Sequence, residues 1–462
     1  MHGFDWQDGQ LHAEEVPLEV IAEQVGTPTY VYSAGAIRHS FGRLASAFAP
    51  LAPHLHYAIK ASPNLHLCRL LRQLGAGMDV VSGGELERAW LAGTPMADVV
   101  FAGVGKSDQE IHAALDGRFS PLRDAAAHLG APDPAGRGPV GLFNIESESE
   151  LSAIDRVARE LGTRARACVR VNPNVDPHTH EYTTTGKEEN KFGIDADRIV
   201  PLFDAWRDAP GVELVGLHAH IGSPVPTVAP YLEATRVQLT LLDDLVARGH
   251  RPTILNLGGG WPVAYQEGEV PELEAYAEEL VPLLAERVRE GLQVLLEPGR
   301  AVVANAGILL TRVEHVKRGR AKSFVVCDAG MHTLLRPALY RAFHFVWPVA
   351  WEHAAPRRLE HPGLPDLEIS DIVGPICETG DFLARGRELP RIVRGELLAV
   401  FSAGAYGMSM ASNYNDHGRV AEVLVDGAGA RVINERQSLA ALLETERQAR
   451  ELDLAARAAV GA

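Results

Sequence analysis

Four cysteines in 462 residues, at positions 68, 168, 327 and 377, are too few and too scattered for a disulfide framework, and no Cys-x-x-Cys pair suggests a zinc knuckle. Reduced thiols in a cytoplasm are the expectation, with Cys68, Cys168 and Cys327 read as small core residues and Cys377 set apart. Basic charge is also short. Lys and Arg number 44 against 60 Asp and Glu, and the net charge of -16 argues against nucleic acid or an anionic membrane as a partner. No apolar run is long enough to span a bilayer. The first 15 residues are polar and acidic, with no basic start leading into an apolar stretch, so no signal peptide is read. What remains, 46% hydrophobic and 23% charged residues, is the make-up of a soluble globular protein long enough for more than one domain.

The apolar pattern supplies the architecture. After an amphipathic opening over 17–24 and a strand-like 29–32, short apolar runs recur at 56–60, 78–82, 99–104, 142–146, 167–172, 214–221, 253–257 and 294–297. Helical spacing fills the gaps, as at 65–75, 84–93 and 149–162. Eight such repeats over roughly 260 residues predict an α/β fold, a (β/α)8 TIM-like barrel, with a doubly wound open sheet as the runner-up. From about residue 302 the pattern turns β-rich, at 309–316, 323–327, 343–349, 367–373, 397–401, 421–425 and 431–434. The expected organisation is a barrel over 37–301 and a C-terminal all-β domain over 302–462, joined by the N-terminal segment 1–36. The Gly-, Pro- and Ala-rich stretch 117–139 reads as a surface insertion, and the tail from Ser438 as a solvated helix.

Polar residues gather at the C-terminal ends of the runs: Lys60, Ser82, Glu146, Asn172, His220, the triplet Gly258-Gly259-Gly260, and Glu297. In a barrel that rim carries the chemistry. An isolated lysine such as Lys60 usually marks where a strand meets solvent. As a nucleophile it needs partial desolvation to lose its proton, which the end of an inward-pointing strand can supply. The three glycines let backbone N–H groups approach a phosphate, and Ser223 can add a hydroxyl. His218 and His220 share a strand face by alternation. A metal site is the minority reading of that pair; a flat His220 ring against a cofactor and a core His218 fit better. In Glu297-Pro298-Gly299-Arg300 the carboxylate can hold a proton on a pyridine nitrogen, and Arg300 can grip a phosphate or carboxylate. Together these residues suit pyridoxal phosphate: an amine, a phosphate cradle and an acid for the ring. The stretch Phe101 to Ser107 imitates a P-loop but has Val100 where the motif needs glycine, so Lys106 reads as a rim lysine.

Longer segments resemble the pyridoxal-phosphate-dependent diaminopimelate decarboxylases, of the alanine-racemase-like barrel group, from about Pro28 to Gly427. They are Thr185 to Gly193, Asp328-Ala329-Gly330-Met331 running to Tyr340, Gly374 to Asp381, and Ala403 to Met408 leading to Ser412-Asn413-Tyr414-Asn415. The chain departs from the family pattern at Ser62, at Pro224 and over 416–419. The resemblance implies that Lys60 carries the cofactor and that His220 stacks on its ring, with Glu297 at the ring nitrogen. It puts Ser223, Gly258, Gly259, Gly260, Gly299 and Arg300 near the phosphate, with Tyr406 beside the cofactor. Asp79 and Glu85 become supports. Arg300, Arg336, Tyr340, Glu378 and Tyr406 would hold the distal amino-carboxylate end of an amino-acid substrate. Cys377 would return a proton to Cα, and the Cys377-Glu378 pair would reach in from the neighbouring subunit of a homodimer. The implied reaction is decarboxylation of meso-2,6-diaminoheptanedioate to L-lysine. The alternative is a decarboxylase of the same fold acting on ornithine, arginine or a carrier-bound amino acid.

Overall fold

The computed structural model describes residues 2–116, 138–177, 179–180, 185–186, 190–320 and 322–447. Eight parallel strands, His54–Ala58, Gly77–Val80, Val99–Phe101, Leu142–Ile145, Ala165–Asn172, Val212–His218, Ile254–Asn256 and Gln293–Leu296, pair in chain order. The eighth pairs back onto the first, Leu295 opposite His54 and Leu296 opposite Leu55, so the sheet is a closed barrel. The open-sheet alternative is excluded. Among the described residues seven α-helices, from Leu65–Gln73 to Leu273–Arg289, lie between successive barrel strands. The earlier helix Ala34–Ala47 packs on Leu65–Gln73, Leu273–Arg289 and Arg300–Val303, and so occupies the gap beside the eighth strand. Ser33, Asn64, Ser82, Ser107 and Ser147 cap their helices through side-chain acceptors, which explains why these helices begin where they do.

Strand alternation sorts the barrel interior into layers. Val100, Leu142, Cys168, Val215, Ile254 and Leu295 form an apolar cluster separate from the main core. Two residues further along four of those strands lie Asn144, Arg170, Asn256 and Glu297, all buried. The same faces that plug the barrel below therefore carry polar groups towards the C-terminal rim.

The second sheet runs in the order Phe382–Leu389, Glu368–Val373, Ser323–Cys327, Gly307–Arg318, Thr29–Ser33, Ala421–Asp426, Gly429–Asn434, with Leu397–Val400 paired to Gly307–Arg318 and to Val346–Pro348. The N-terminal strand Thr29–Ser33 thus lies in the middle of a sheet otherwise built from residues beyond 306. Strand Phe382–Leu389 has no counterpart in the sequence reading. Its alternation is broken by Arg385 and by Gly386 at φ 62°, and its pairing shifts register twice. The hairpin of Phe4–Gln7 and Gln10–Ala13 was also not read.

The two parts meet at the rim of the barrel. Tyr406 donates its N–H to the carbonyl of Ala61 at 2.7 Å, and buried Glu422 accepts from Tyr32 Oη at 2.8 Å and Asn64 Nδ2 at 2.9 Å. Of the insertion read at 117–139, positions 117–137 lie outside the described residues; the tail from Ser438 opens with the helix Leu439–Leu443, and its part beyond 447 is also outside them. Among the described residues no helix is long and apolar enough to cross a membrane.

Candidate active site

Lys60 does not end a strand. Strand His54–Ala58 stops two residues earlier, and Lys60 sits in the single 3-10 turn Ile59–Ala61. Its Nζ donates to Asp79 Oδ2 at 2.8 Å, and Asp79 is wholly buried on the neighbouring strand. Burial acts to depress the amine's pKa, but the charges of Asp79 and Glu297 outweigh it, so the amine's pKa is raised above its ordinary value and it stays protonated. The desolvated, neutral lysine expected from sequence is therefore corrected: Asp79 supplies the countercharge. The amine borders a cavity of about 400 Å³ lined also by Ser82, Glu85, Arg88, Tyr406 and Met410. Glu85 turns back to accept the N–H of Val81 at 2.9 Å.

Glu297 follows the eighth strand and is the most fully bonded carboxylate of the rim. Its Oε1 accepts from Asn144 Nδ2 at 2.8 Å and Asn256 Nδ2 at 2.6 Å, while Oε2 lies 3.2 Å from His218 Nε2. Burial would raise its pKa, yet His218, Lys60 and the Asn256 amide carry it far below the usual carboxylate range. Neither asparagine stood out in the sequence; the available signal was their inward parity with Leu142 and Ile254.

Strand Val212–His218 ends at His218, so the alternation argument reaches that residue only, and His220 lies beyond the strand. Gly259 donates its N–H to His220 Nδ1 at 3.2 Å, which leaves the ring proton of the neutral imidazole on Nε2. Burial, then the charges of Arg170 and Lys60, push its pKa well down, so the ring is neutral. Its carbonyl is fixed by Arg170 Nη2 at 3.0 Å and Thr185 Oγ1 at 2.6 Å. Of the amides read as an anion cradle, that of Gly258 is already engaged by Asn256 Oδ1 at 2.9 Å, and that of Gly259 by His220. Gly260 (φ +97°) has a different role: a Cβ there would lie 2.2 Å from the carbonyl of Gly222, so only glycine lets this loop pass the loop of His220 and Ser223. At Gly299 a Cβ would press at 3.1 Å on the methyls of Ala58 and Ala61, which is how closely the Lys60 turn approaches.

Two buried arginines complete the rim. Arg300 donates Nε to Ser223 Oγ at 3.3 Å and Nη1 to Tyr265 Oη at 2.7 Å, and its guanidinium stacks 4.8 Å from the Tyr406 ring. Arg336 lies 4.7 Å over the other partner's ring, that of Tyr265, with Nη1 2.8 Å from His344 Nε2. His344 Nδ1 faces the carbonyl of Phe401 at 2.9 Å, so it carries the proton and Nε2 accepts from Arg336. The Nε of Arg336 has no partner, and among the described residues no carboxylate pairs with either arginine. Burial, opposed by Tyr265, holds the Arg336 guanidinium below its ordinary pKa. Tyr265 and His344 were missed in the sequence because nothing local marks them. Half-buried Tyr340 meets the His180 ring edge-on at 5.5 Å.

Cys377 and Glu378 lie on an exposed turn and do not line the cavity beside Lys60 of their own chain. Lys106 is no rim lysine: its side chain is fully buried, bonded to Glu150 Oε1 at 2.6 Å and to the carbonyls of Gly103 and Asn144. Positions 187–189 of the segment Thr185 to Gly193 lie outside the described residues.

Residues 34–304 match the family model described as the pyridoxal-dependent decarboxylase, pyridoxal binding domain. Diaminopimelate decarboxylase of Neisseria meningitidis serogroup A is 44% identical, covering 93% of this chain and 97% of that one. The Pseudomonas aeruginosa enzyme of the same name is 43% identical over 96% and 99%. Among solved structures, diaminopimelate decarboxylase from M. jannaschii in co-complex with L-lysine superposes with a TM-score of 0.84 at 33% identity, covering 97% and 98%. The Helicobacter pylori enzyme complexed with L-lysine gives 0.80 at 34% over 93% and 99%. With a closed barrel, a lysine at its rim and near full-length identity of this order, the chain belongs to the diaminopimelate decarboxylase family of pyridoxal-dependent decarboxylases.

Proposed function

We propose that this chain decarboxylates meso-2,6-diaminoheptanedioate to L-lysine and carbon dioxide, with pyridoxal 5'-phosphate held by Lys60. The observation that carries the reading is the pair of buried guanidiniums, Arg300 and Arg336, left without a carboxylate among the described residues. A buried cation without a countercharge is costly. Anionic ligands, a phosphate and a distal carboxylate, supply that charge. The residues fit the cofactor in other respects. Lys60 presents an amine to a cavity, Glu297 is an anion held inside the barrel, and Gly260 leaves room where a side chain would block the adjoining loop.

When bound, the cofactor supplies an electron sink for the pair left by departing carbon dioxide. The protein's part is electrostatic and positional. Glu297, anionic at neutral pH, would keep a proton on the cofactor's ring nitrogen. Neutral His220 would lie against the ring without adding a charge. Asp79 holds the Lys60 amine when it is free. Ser223, Gly258, Gly259, Gly260, Gly299 and Arg300 would hold the phosphate, with the amides of Gly258 and Gly259 already committed to Asn256 and His220. Tyr406 packs on Arg300 beside them. Arg336, Tyr340 and Glu378 would grip the distal carboxylate and ammonium and so orient the substrate for loss of its other carboxylate. Cys377 returns the proton to Cα. Cys377 and Glu378 are exposed on their own subunit, which suits a homodimer in which each chain completes its partner's site.

Carbon dioxide release by cofactor-loaded protein tests the proposal, with meso-diaminopimelate, its LL isomer, ornithine and arginine offered separately. Release from the meso isomer alone, with lysine formed, is the expected result. Release from another amino acid in preference would overturn the substrate assignment.

A further inference from the structure

The segment Ser412-Asn413-Tyr414-Asn415 marks the family resemblance, yet the reading above gives it no task. Its geometry does. Asn415 Oδ1 accepts the N–H of Cys377 at 3.0 Å, and Tyr414 Oη donates to Glu378 Oε2 at 2.7 Å. Two adjacent residues thus hold two adjacent residues, one by its backbone and the other by its carboxylate.

The rest of the segment is anchored behind this contact. Asn413 Nδ2 donates to the carbonyl of His417 at 2.9 Å and to Gln437 Oε1 at 2.7 Å, and the Ser412 N–H reaches the carbonyl of His332. Asn415 and Asp416 are both left-handed, at φ 54° and 57°, a conformation that Asn and Asp tolerate best but that still has to be held by its surroundings. On the facing side, buried Asp381 takes the N–H groups of Met331 and Ile376, each at 2.6 Å, and so fixes the base of the turn. Only its crest, Cys377 and Glu378, is left for Tyr414 and Asn415 to set. The bond to Tyr414 engages one oxygen of Glu378. The other, Oε1, lies where a Cβ on Gly380 would come within 2.9 Å, so glycine keeps that side open. Burial does not account for the contact, since Tyr414 is 42% exposed and Glu378 is exposed.

We propose that Tyr414 and Asn415 are positioning residues for the decarboxylation. Tyr414 aims the free oxygen of Glu378 at the substrate's distal ammonium, and Asn415 fixes the backbone from which the Cys377 thiol reaches Cα. The inference rests on the roles given above to Cys377 and Glu378.

The test uses the cofactor-loaded full chain and steady-state kinetics with meso-diaminopimelate. Tyr414→Phe should raise KM about tenfold with kcat nearly unchanged, as loss of one hydrogen bond to a charged group implies. Added to Glu378→Gln it should have no further effect, because the bond it removes serves that carboxylate alone. Asn415→Ala should lower kcat about tenfold at unchanged KM and unchanged visible absorbance. Asn415→Asp, which keeps the acceptor and tolerates the left-handed backbone, should restore kcat. If Glu378→Gln raises KM but Tyr414→Phe does not, or if Asn415→Asp fails to rescue, the positioning roles are wrong and the reading of Glu378 stands. If Glu378→Gln leaves KM unchanged, that reading fails and takes the role of Tyr414 with it.

Discussion

Replacing Arg336 with Met should leave the cofactor-free protein nearly as stable as before while removing most of its turnover. Arg170→Met is the contrasting case. The two guanidiniums are equally buried, each 5% exposed, so desolvation does not distinguish them. Their partners do. Arg170 Nη1 lies 2.5 Å from buried Glu146 Oε1, and its removal leaves that carboxylate uncompensated, which costs about 3–5 kcal/mol. Removing Arg336 leaves no opposite charge behind. It strands the Nε2 lone pair of His344, worth about 1–3 kcal/mol, but it also abolishes an unpartnered Nε whose penalty is of the same size. The terms offset, and the net change should stay within about 2 kcal/mol. Function responds differently, because truncating one member of a desolvated charge pair with the substrate costs about 2–5 kcal/mol, or at least ~30-fold in kcat/KM. Urea midpoints of both cofactor-free variants, compared at unchanged slope, give the stabilities. Turnover of meso-diaminopimelate gives the rest. The reasoning is refuted if Arg336→Met loses as much stability as Arg170→Met while kcat/KM survives, for Arg336 would then be a structural residue.

Three further outcomes follow from the same geometry. Lys60→Ala should abolish the visible absorbance of the lysine-bound cofactor and deprive Asp79 of the one ion-pair partner it has among the described residues; retained absorbance would assign the amine elsewhere. Glu297 is held far below its ordinary pKa of 4.5, so its contribution to stability is complete above that pH and is lost as the pH falls towards the folded-state value. Urea midpoints between about pH 5 and pH 3 should therefore fall more steeply for the native chain than for Glu297→Gln, and parallel curves would contradict the assignment. Gly260→Ala and Gly75→Ala both force a left-handed alanine, at φ +97° and +94°, but nothing lies within 4 Å of a Cβ at Gly75. Gly75→Ala should cost about 1–2 kcal/mol of stability, and Gly260→Ala should cost more and also weaken cofactor retention. Equal effects would show that the contact with Gly222 is immaterial.

The barrel was legible because parallel strands buried on both faces must read as short apolar runs between helices. Their ends were less so. The runs at 56–60, 78–82, 214–221 and 294–297 each overran the strand, since Lys60, Ser82, His220 and Glu297 belong to the loops that follow. That error matters chemically: a loop position let Lys60 turn to Asp79, which no sequence period encodes. Glu297 and Arg300 could be picked out by type and spacing, but their supports could not. Asn144 and Asn256 come from strands 153 and 41 residues away from Glu297, and Tyr265 lies 35 residues from Arg300. Lys106 was misread because a lysine after a strand is usually solvated, whereas here Glu150, from a helix 44 residues on, follows it into the core. Contacts of this range exist only once the barrel has closed and the β-rich sheet has docked on its rim.

The distribution of charge at that rim carries its own argument about orientation. Each buried carboxylate there is answered from within the chain, Asp79 by Lys60 and Glu297 by two asparagines and His218. Among the described residues the two guanidiniums are answered only by neutral groups: a serine, tyrosine faces and hydroxyl, and a histidine whose proton is committed to a backbone carbonyl. A ligand with a protonated ring nitrogen at one end and a phosphate at the other would satisfy such a site in one sense only, its cation toward Glu297 and its anion toward Arg300, leaving Arg336 to the carboxylate of a second ligand. Reversed, it would set a cation against unpaired guanidiniums and an anion against Glu297, each at several kcal/mol in a desolvated setting. Arg300 and Arg336 share Tyr265, one through its hydroxyl and one over its face, so a ligand drawn to either is placed relative to both. Under the proposed roles, the positive charge left unpaired among the described residues would select the binding direction before any reacting atom is in place.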